Sequence, residues 1–177
     1  MAFLKNFYRK KKYGEPIVVV SGLPRAGTSM MMSMLEAGGI EILSDQVREE
    51  DQDNPKGYYE FEPIKDLVLD KQQSWLEEAR GRGVKVISDL VKELSSDYFF
   101  KLIFMNRNLE EVVASQNKML IRRGEPPQPG DDQKMMGLFE KHLDRVKRWI
   151  DQQPNFEALF VEYREVLEDP AQQAERI

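Results

Sequence analysis

The clearest chemistry in this chain belongs to Gly22-Leu23-Pro24-Arg25-Ala26-Gly27-Thr28-Ser29. Two glycines separated by four residues let a short loop fold its backbone N–H groups inward onto an anion. Arg25 adds a fixed cation, and Thr28 and Ser29 add hydroxyl donors. Ile17-Val18-Val19-Val20 precedes the loop as an apolar run suited to a strand buried on both faces, and Met30–Leu35 follows it as the start of a buried helix. A glycine loop between a strand and a helix is the setting in which this spacing implies phosphate binding, because the new helix contributes free amides and the positive end of its dipole.

The loop departs from the nucleotide-triphosphate pattern G-x-x-x-x-G-K-[ST]. Thr28 fills the lysine position and the cation comes earlier, at Arg25. The sequence GLPRAGTS closely resembles the phosphosulfate-binding loop of sulfotransferases, which use 3′-phosphoadenosine-5′-phosphosulfate (PAPS). The resemblance implies that Gly22, Pro24, Arg25, Ala26, Gly27, Thr28 and Ser29 hold the cofactor.

A second stretch, KLIFMNRNLEEVVASQ, is similar to the family motif that binds the 3′-phosphate, and implies that role for Arg107 and Ser115. A guanidinium fork beside a hydroxyl suits a phosphate dianion. VEYREVLEDP resembles the stretch whose tyrosine lies near the adenine, which implies Tyr163; Met30 stands where some cytosolic members carry a stacking tryptophan. NPKGYYE, Asn54–Glu60, resembles a segment common in bacterial sulfotransferase-like proteins. By residue type it is a turn that presents two tyrosines and a glutamate, either as a lid over a ligand or as packing.

The resemblance also implies a catalytic set. Arg25 neutralises charge on the leaving phosphate. Lys85 corresponds to a lysine near the transferred group, with snorkelling at a strand end as its ordinary alternative. Cytosolic members place a histidine two residues beyond that lysine, where this chain has Ile87. The single histidine, His142, sits in the charged run EKHLDR and is expected at the surface. Golgi-type members use a glutamate as general base. Glu60 is the candidate here because its aromatic turn can desolvate it, with Glu62, Asp45 and Glu49 as rivals.

Strand–helix alternation is what positions these groups. Strands are expected at Ile17–Val20, Ile40–Leu43, Gly83–Ser88, Phe99–Met105 and Phe156–Val161. Helices are expected after the loop to about Ala37 and over Pro63–Ala79, Asp89–Leu94, Leu109–Ile121 (capped by Asn108), Gln133–Asp151 and Tyr163–Leu167, with another starting at Asp169-Pro170. The expected fold is α/β, a three-layer P-loop nucleotide-binding fold with a five-stranded parallel sheet flanked by helices. Ligands in such sheets lie at the carboxyl ends of the strands. The glycine loop, the strand end near Ser88, and Arg107 therefore fall on one edge. Residues 1–15 are expected as a basic, solvated arm, and residues 16–177 as a single domain. Relatives usually continue past Ile177, so the chain is expected to be a truncated or a short member.

Composition narrows the partners. With 177 residues, 41% hydrophobic and 32% charged, the chain can build one sizeable core. A net charge of −5 disfavours a dedicated nucleic-acid binder. The absence of cysteine and the lone histidine exclude thiolate and histidine-rich metal sites, so no metal is expected. No apolar run is long enough to span a bilayer and the N-terminus does not read as a signal peptide, which makes the cytoplasm the default. The expected acceptor is a hydroxyl or amine of a small molecule, glycan or lipid. The acidic balance disfavours a polyanionic glycan, although Arg122 and Arg123 offer a local basic patch.

Two other classes compete. A magnesium-dependent P-loop kinase or NTPase would use Asp89 as its metal-binding acid, against the missing loop lysine. A non-catalytic nucleotide-binding module would keep the fold without turnover. Ligand preference and turnover separate the three.

Overall fold

A computed structural model describes residues 2–45, 57–70, 72–128 and 130–177, with side chains from Tyr8 onward. Its centre is strand β1, Ile17–Gly22, which pairs in parallel with β2 (Gly83–Lys85) on one side and β3 (Phe100–Asn106) on the other. Strand β4, Phe156–Glu162, completes the edge beside β3, so the all-parallel sheet runs β2-β1-β3-β4. Successive residues of a strand point to opposite faces. Here Ile17 and Val19 join one apolar core while Val18 and Val20 face the other. Phe100, Leu102 and Phe104 of β3 join the first core, and Ile103 and Met105 the second. A sheet buried this way on both faces needs the unbroken apolar strands that the sequence shows.

Helices cover both faces. Helix α1 spans Ala2–Tyr13, α2 Thr28–Ala37, α3 Trp75–Glu78 and α4 Leu109–Arg122. Helix α5 spans Asp131–Asp151, α6 Tyr163–Glu168 and α7 Pro170–Arg176. Met31, Met32 and Leu35 of α2 pack in one core; Leu143, Val146, Trp149 and Ile150 of α5 pack in the other, with Leu143 touching both. The methionines after the loop are thus packing between helix and sheet. Asn108 caps α4 by accepting from the Glu111 amide, and Asp169 caps α7 by accepting from that of Gln172.

The sheet has four strands, not the five expected. Ile40–Leu43 makes only an isolated parallel bridge, Ile42 to Gly83. Gly83 donates to the Glu41 carbonyl and accepts from the Leu43 amide, but the chain then turns away. Ser44 Oγ and the Asp45 amide both donate to the Glu60 carbonyl, which draws the chain after Leu43 toward residue 60 and away from the sheet. Strand β2 is also shorter than GVKVIS suggested. The Val86 and Ser88 amides still donate to Val20 and Gly22, but only the β1 side is paired there.

Other departures have local causes. The helix expected over Pro63–Ala79 is a 3-10 turn at Glu62–Ile64 followed later by the short α3. Just before α3 the backbone is non-helical at Gln73, whose φ is 44° and whose buried amide donates to the Glu93 carbonyl and accepts from the Ser95 amide. The helix expected at Asp89–Leu94 is a 3-10 turn, Val91–Glu93. The basic N-terminus is helical: Arg9 in α1 donates to the Pro154 carbonyl at 2.9 Å and lies over the Phe99 ring. Asn54, Pro55 and Lys56 of the aromatic turn, and Glu49, lie outside the described residues.

Candidate functional site

Strand register sets the first half of the site. β3 and β4 pair Phe100 with Phe156 and Phe104 with Phe160, and both ring pairs are in contact, with centroids 4.9 and 5.7 Å apart. Such cross-strand aromatic pairs are worth roughly 0.5–1.5 kcal/mol each and fix the alignment. The ladder ends with Asn106 opposite Glu162, so the next residues, Arg107 and Tyr163, leave the sheet side by side. The Arg107 guanidinium lies over the Tyr163 ring, 4.2 Å from its centroid.

The glycine loop supplies the second half. Gly27 has φ 96°, and a Cβ there would come within 2.5 Å of the Tyr163 ring. Gly22 sits against Met105, whose carbonyl oxygen would lie 2.8 Å from an added Cβ. Glycine is therefore needed at both positions for different reasons: handedness and ring approach at Gly27, strand contact at Gly22. Helix α2 begins immediately after Gly27, which gives no side-chain cap. The first amides of a helix have no intrahelical acceptor, and here they belong to Thr28, Ser29 and Met30, all of which line a cavity.

Two hydrogen bonds tie the halves together, and a third steadies Arg107 on its own helix. Arg25 Nε donates to Ser115 Oγ at 3.0 Å, and Arg107 Nη1 donates to the Arg25 carbonyl at 2.9 Å. Arg107 Nε donates to Glu111 Oε2 at 3.1 Å, one turn along α4. Arg164 also holds Glu111, at 2.7 Å. Arg164 first, then Arg107, keeps the Glu111 carboxyl below the usual carboxylate range, and the same pairing raises Arg164.

The cavity has a volume of about 520 Å³, within the roughly 300–1,000 Å³ usual for small-ligand sites. It brings together Gly22, Pro24, Arg25, Gly27, Thr28, Ser29, Glu60, Lys85, Arg107, Ser115 and Tyr163. Ala26 of the loop is buried behind it, its amide turned to the Leu23 carbonyl. Lys85 Nζ donates to the Tyr58 carbonyl, which also accepts from Ser29 Oγ at 3.5 Å. That shared carbonyl pins the aromatic turn onto the start of α2. Tyr58 is buried and lines the cavity, while Tyr59 turns away to donate to Glu36 at 2.7 Å.

The acidic candidates separate cleanly. Glu60 lines the cavity. Asp45 accepts from the Glu62 amide and Glu62 accepts from Lys65, and neither is among the lining residues. Sequence reasoning missed Gln116 and Met119 as cavity-lining residues; Ile87, at the position of the cytosolic members' histidine, and Arg123, of the basic pair, line it too. The α4 members could have been found, since Met119 and Arg123 repeat the four-residue helical spacing from Ser115.

His142 is a correction. Its side chain is only 17% exposed and is held between Ser88 Oγ, 2.8 Å from Nε2, and Asp89 Oδ1, 3.3 Å from Nδ1. Helix α5 carries it against the end of β2, where charged neighbours in sequence hide it from a pattern reading. Asp89 and His142 line a separate cavity with Lys92, Arg145, Val146 and Trp149, apart from the glycine loop.

A parallel α/β sheet whose inner strand opens into a glycine loop, faced by an arginine and a serine from a neighbouring strand–helix unit, is an arrangement suited to a nucleotide or phosphosulfate ligand. The sulfotransferase domain family matches residues 15–177, and the chain belongs to that family. It is accordingly a sulfotransferase of the EC 2.8.2 type, with PAPS as sulfuryl donor and an acceptor substrate. No curated protein matches the chain. Among the described residues no helix is long and apolar enough to cross a membrane.

Proposed function

We propose that the cavity at the carboxyl edge of the sheet is where this chain moves a sulfuryl group from PAPS to a hydroxyl or amine. The Gly22–Ser29 loop takes the 5′-phosphosulfate, and Arg107 with Ser115 takes the 3′-phosphate. The supporting observation is charge. At the loop and the adjoining strand ends the lining residues include three cations, Arg25, Lys85 and Arg107, against one carboxylate, Glu60, in a protein of net charge −5. Such a local inversion favours a polyanionic ligand and raises its concentration at the site.

PAPS supplies, when bound, a sulfuryl group activated by its link to the 5′-phosphate. The chain supplies alignment and charge stabilisation, as in phosphoryl transfer. Arg25, the Thr28 and Ser29 hydroxyls and the first α2 amides stabilise the charge that gathers on the departing phosphate oxygen. Arg107 presents a guanidinium group held over Tyr163, and Ser115 presents a hydroxyl oriented by Arg25. Lys85 stands at the end of β2 to neutralise the transferring group. Glu60 accepts the acceptor's proton as the acceptor O–S bond forms. The S–O bond to the phosphate breaks, and its electron pair leaves on adenosine 3′,5′-bisphosphate. No metal takes part in this scheme. Sulfuryl carries less negative charge than a γ-phosphoryl group, which removes the need for the lysine–magnesium pair of triphosphate loops. Tyr163 packs beside the 3′-phosphate residues, as a tyrosine near the adenine would.

Calorimetry with adenosine 3′,5′-bisphosphate and with ATP–Mg tests the reading. The bisphosphate is expected to bind at least tenfold more tightly, about 1.4 kcal/mol. Binding of ATP–Mg alone would instead indicate a kinase or NTPase. Bisphosphate binding without sulfuryl transfer to any acceptor would indicate a binding module.

A further inference from the structure

Sheet order divides the cavity into two ends. β1 carries the glycine loop in the middle. Arg107 and Tyr163 come from the ends of β3 and β4 on one side, and Lys85 and Ile87 from the end of β2 on the other. If the adenosine 3′-phosphate takes the β3/β4 side, the sulfuryl group faces β2, and the acceptor enters there. This step rests on the sulfotransferase reading of the cavity.

The walls away from the phosphate groups are largely apolar. Ile87 is 43% exposed although it continues a buried strand, and it lines the cavity together with Met30 and Met119. An exposed isoleucine lining one cavity with two methionines suits an apolar body, to whose shape the methionines adapt. One further cation stands on this wall. Helix α4 starts at the end of β3 and reaches the β1 loop at Ser115. Met119 and Arg123 follow on the same face, one and two turns on, about 6 and 12 Å along the axis. That distance takes Arg123 well past the contact between Ser115 and Arg25.

Arg123 also differs from the other lining cations in its contacts. Arg25 donates to Ser115, Arg107 to Glu111 and the Arg25 carbonyl, and Lys85 to the Tyr58 carbonyl. The Arg123 side chain makes no hydrogen bond or ion pair with a described residue. Its guanidinium is available to an anion without displacing a protein carboxylate.

We propose that the acceptor is a hydroxyl compound with an apolar body and an anionic substituent, such as a carboxylate. Arg123 receives the anion, and Ile87, Met119 and Met30 hold the apolar body. Arg123 is thus a specificity residue for the acceptor rather than a part of the donor site.

The test uses the full chain saturated with adenosine 3′,5′-bisphosphate. Calorimetry compares 4-hydroxyphenylacetate with its neutral isostere 4-hydroxyphenylacetamide, in the wild type and in Arg123→Gln. The carboxylate is expected to bind the wild type at least fivefold more tightly. The preference should fall to near unity in Arg123→Gln, with bisphosphate affinity unchanged. A wild-type ratio near one, undetectable binding of both phenols, or a preference that survives in Arg123→Gln overturns the proposal. Weaker bisphosphate binding by Arg123→Gln overturns it by assigning that arginine to the donor. Failure of the wild type to bind bisphosphate removes the sulfotransferase reading itself and the acceptor proposal with it. Success with the bisphosphate and failure with the phenols removes the acceptor proposal alone.

Discussion

Arg25 Nε donates to Ser115 Oγ at 3.0 Å across 90 residues of sequence. The bond joins the loop after β1 to the second turn of α4, and Arg107 adds a second link by donating to the Arg25 carbonyl at 2.9 Å. Two stretches that each suit an anion are thereby held as one concave surface. A cation bound to a hydroxyl across the cavity is pre-positioned, so less order has to be imposed when a ligand arrives.

Ser115→Ala should therefore weaken adenosine 3′,5′-bisphosphate by more than the loss of one hydroxyl contact, because the Nε of Arg25 loses the Ser115 acceptor too. A 10- to 100-fold loss is expected, about 1.4–2.8 kcal/mol. Arg107→Lys keeps the charge but removes the fork and its stacking on Tyr163, and should lose at least tenfold by the same measure. Calorimetry checks both; unchanged affinity in either variant would detach that residue from the donor.

Gly27→Ala combines two penalties, a left-handed φ of 96° and a Cβ placed 2.5 Å from the Tyr163 ring. Strain of this kind costs about 1–3 kcal/mol, read as a lower urea midpoint. Adding Tyr163→Ser removes the ring and should recover part of the loss but not all, since the backbone conformation is untouched. Full recovery would show that φ contributes nothing.

Glu60→Gln keeps the shape of the side chain and removes the proposed base. Bisphosphate affinity should hold while turnover with PAPS falls about 10²- to 10⁴-fold, the usual worth of general acid–base catalysis. Single-turnover sulfuryl transfer measures it, and wild-type rates in the variant would exclude Glu60 as the base.

Glu111 gives a pH-dependent signature. Its carboxyl titrates below the ordinary 4.5 because Arg164 and Arg107 favour the charged form. A depressed folded-state value contributes stability above the unfolded value, and that stability is lost as pH falls through the folded one. Glu111→Gln should thus melt below wild type at pH 7, with the two Tm values converging as pH falls below 4.5. A gap that persists unchanged in acid would trace the effect to packing rather than to charge.

Much of this protein was legible from local chemistry. The apolar run Ile17–Val20, the glycines that follow, the Asn108 cap and the amphipathic stretch before Asp151 all report short-range requirements. A buried strand needs apolar side chains, a left-handed turn needs glycine, and a helix start needs an acceptor. Those requirements located the loop, β3, α4 and α5, and with them the order of the site along the chain. Tertiary structure decided what depends on competition between distant partners. Ile40–Leu43 has strand character, yet the Glu60 carbonyl takes the donors that follow it and leaves one bridge. Gln73, just ahead of α3, is held out of a helical path as its amide satisfies groups at Glu93 and Ser95. His142 looks like a surface residue among charges, but the packing of α5 on the segment after β2 places it between Ser88 and Asp89. Glu60 separates from Asp45 and Glu62 by its place on the cavity wall, which no spacing encodes. Residue type and period are set by the nearest neighbours along the chain. Which carbonyl, ring or carboxylate a side chain meets is set only when the sheet has closed.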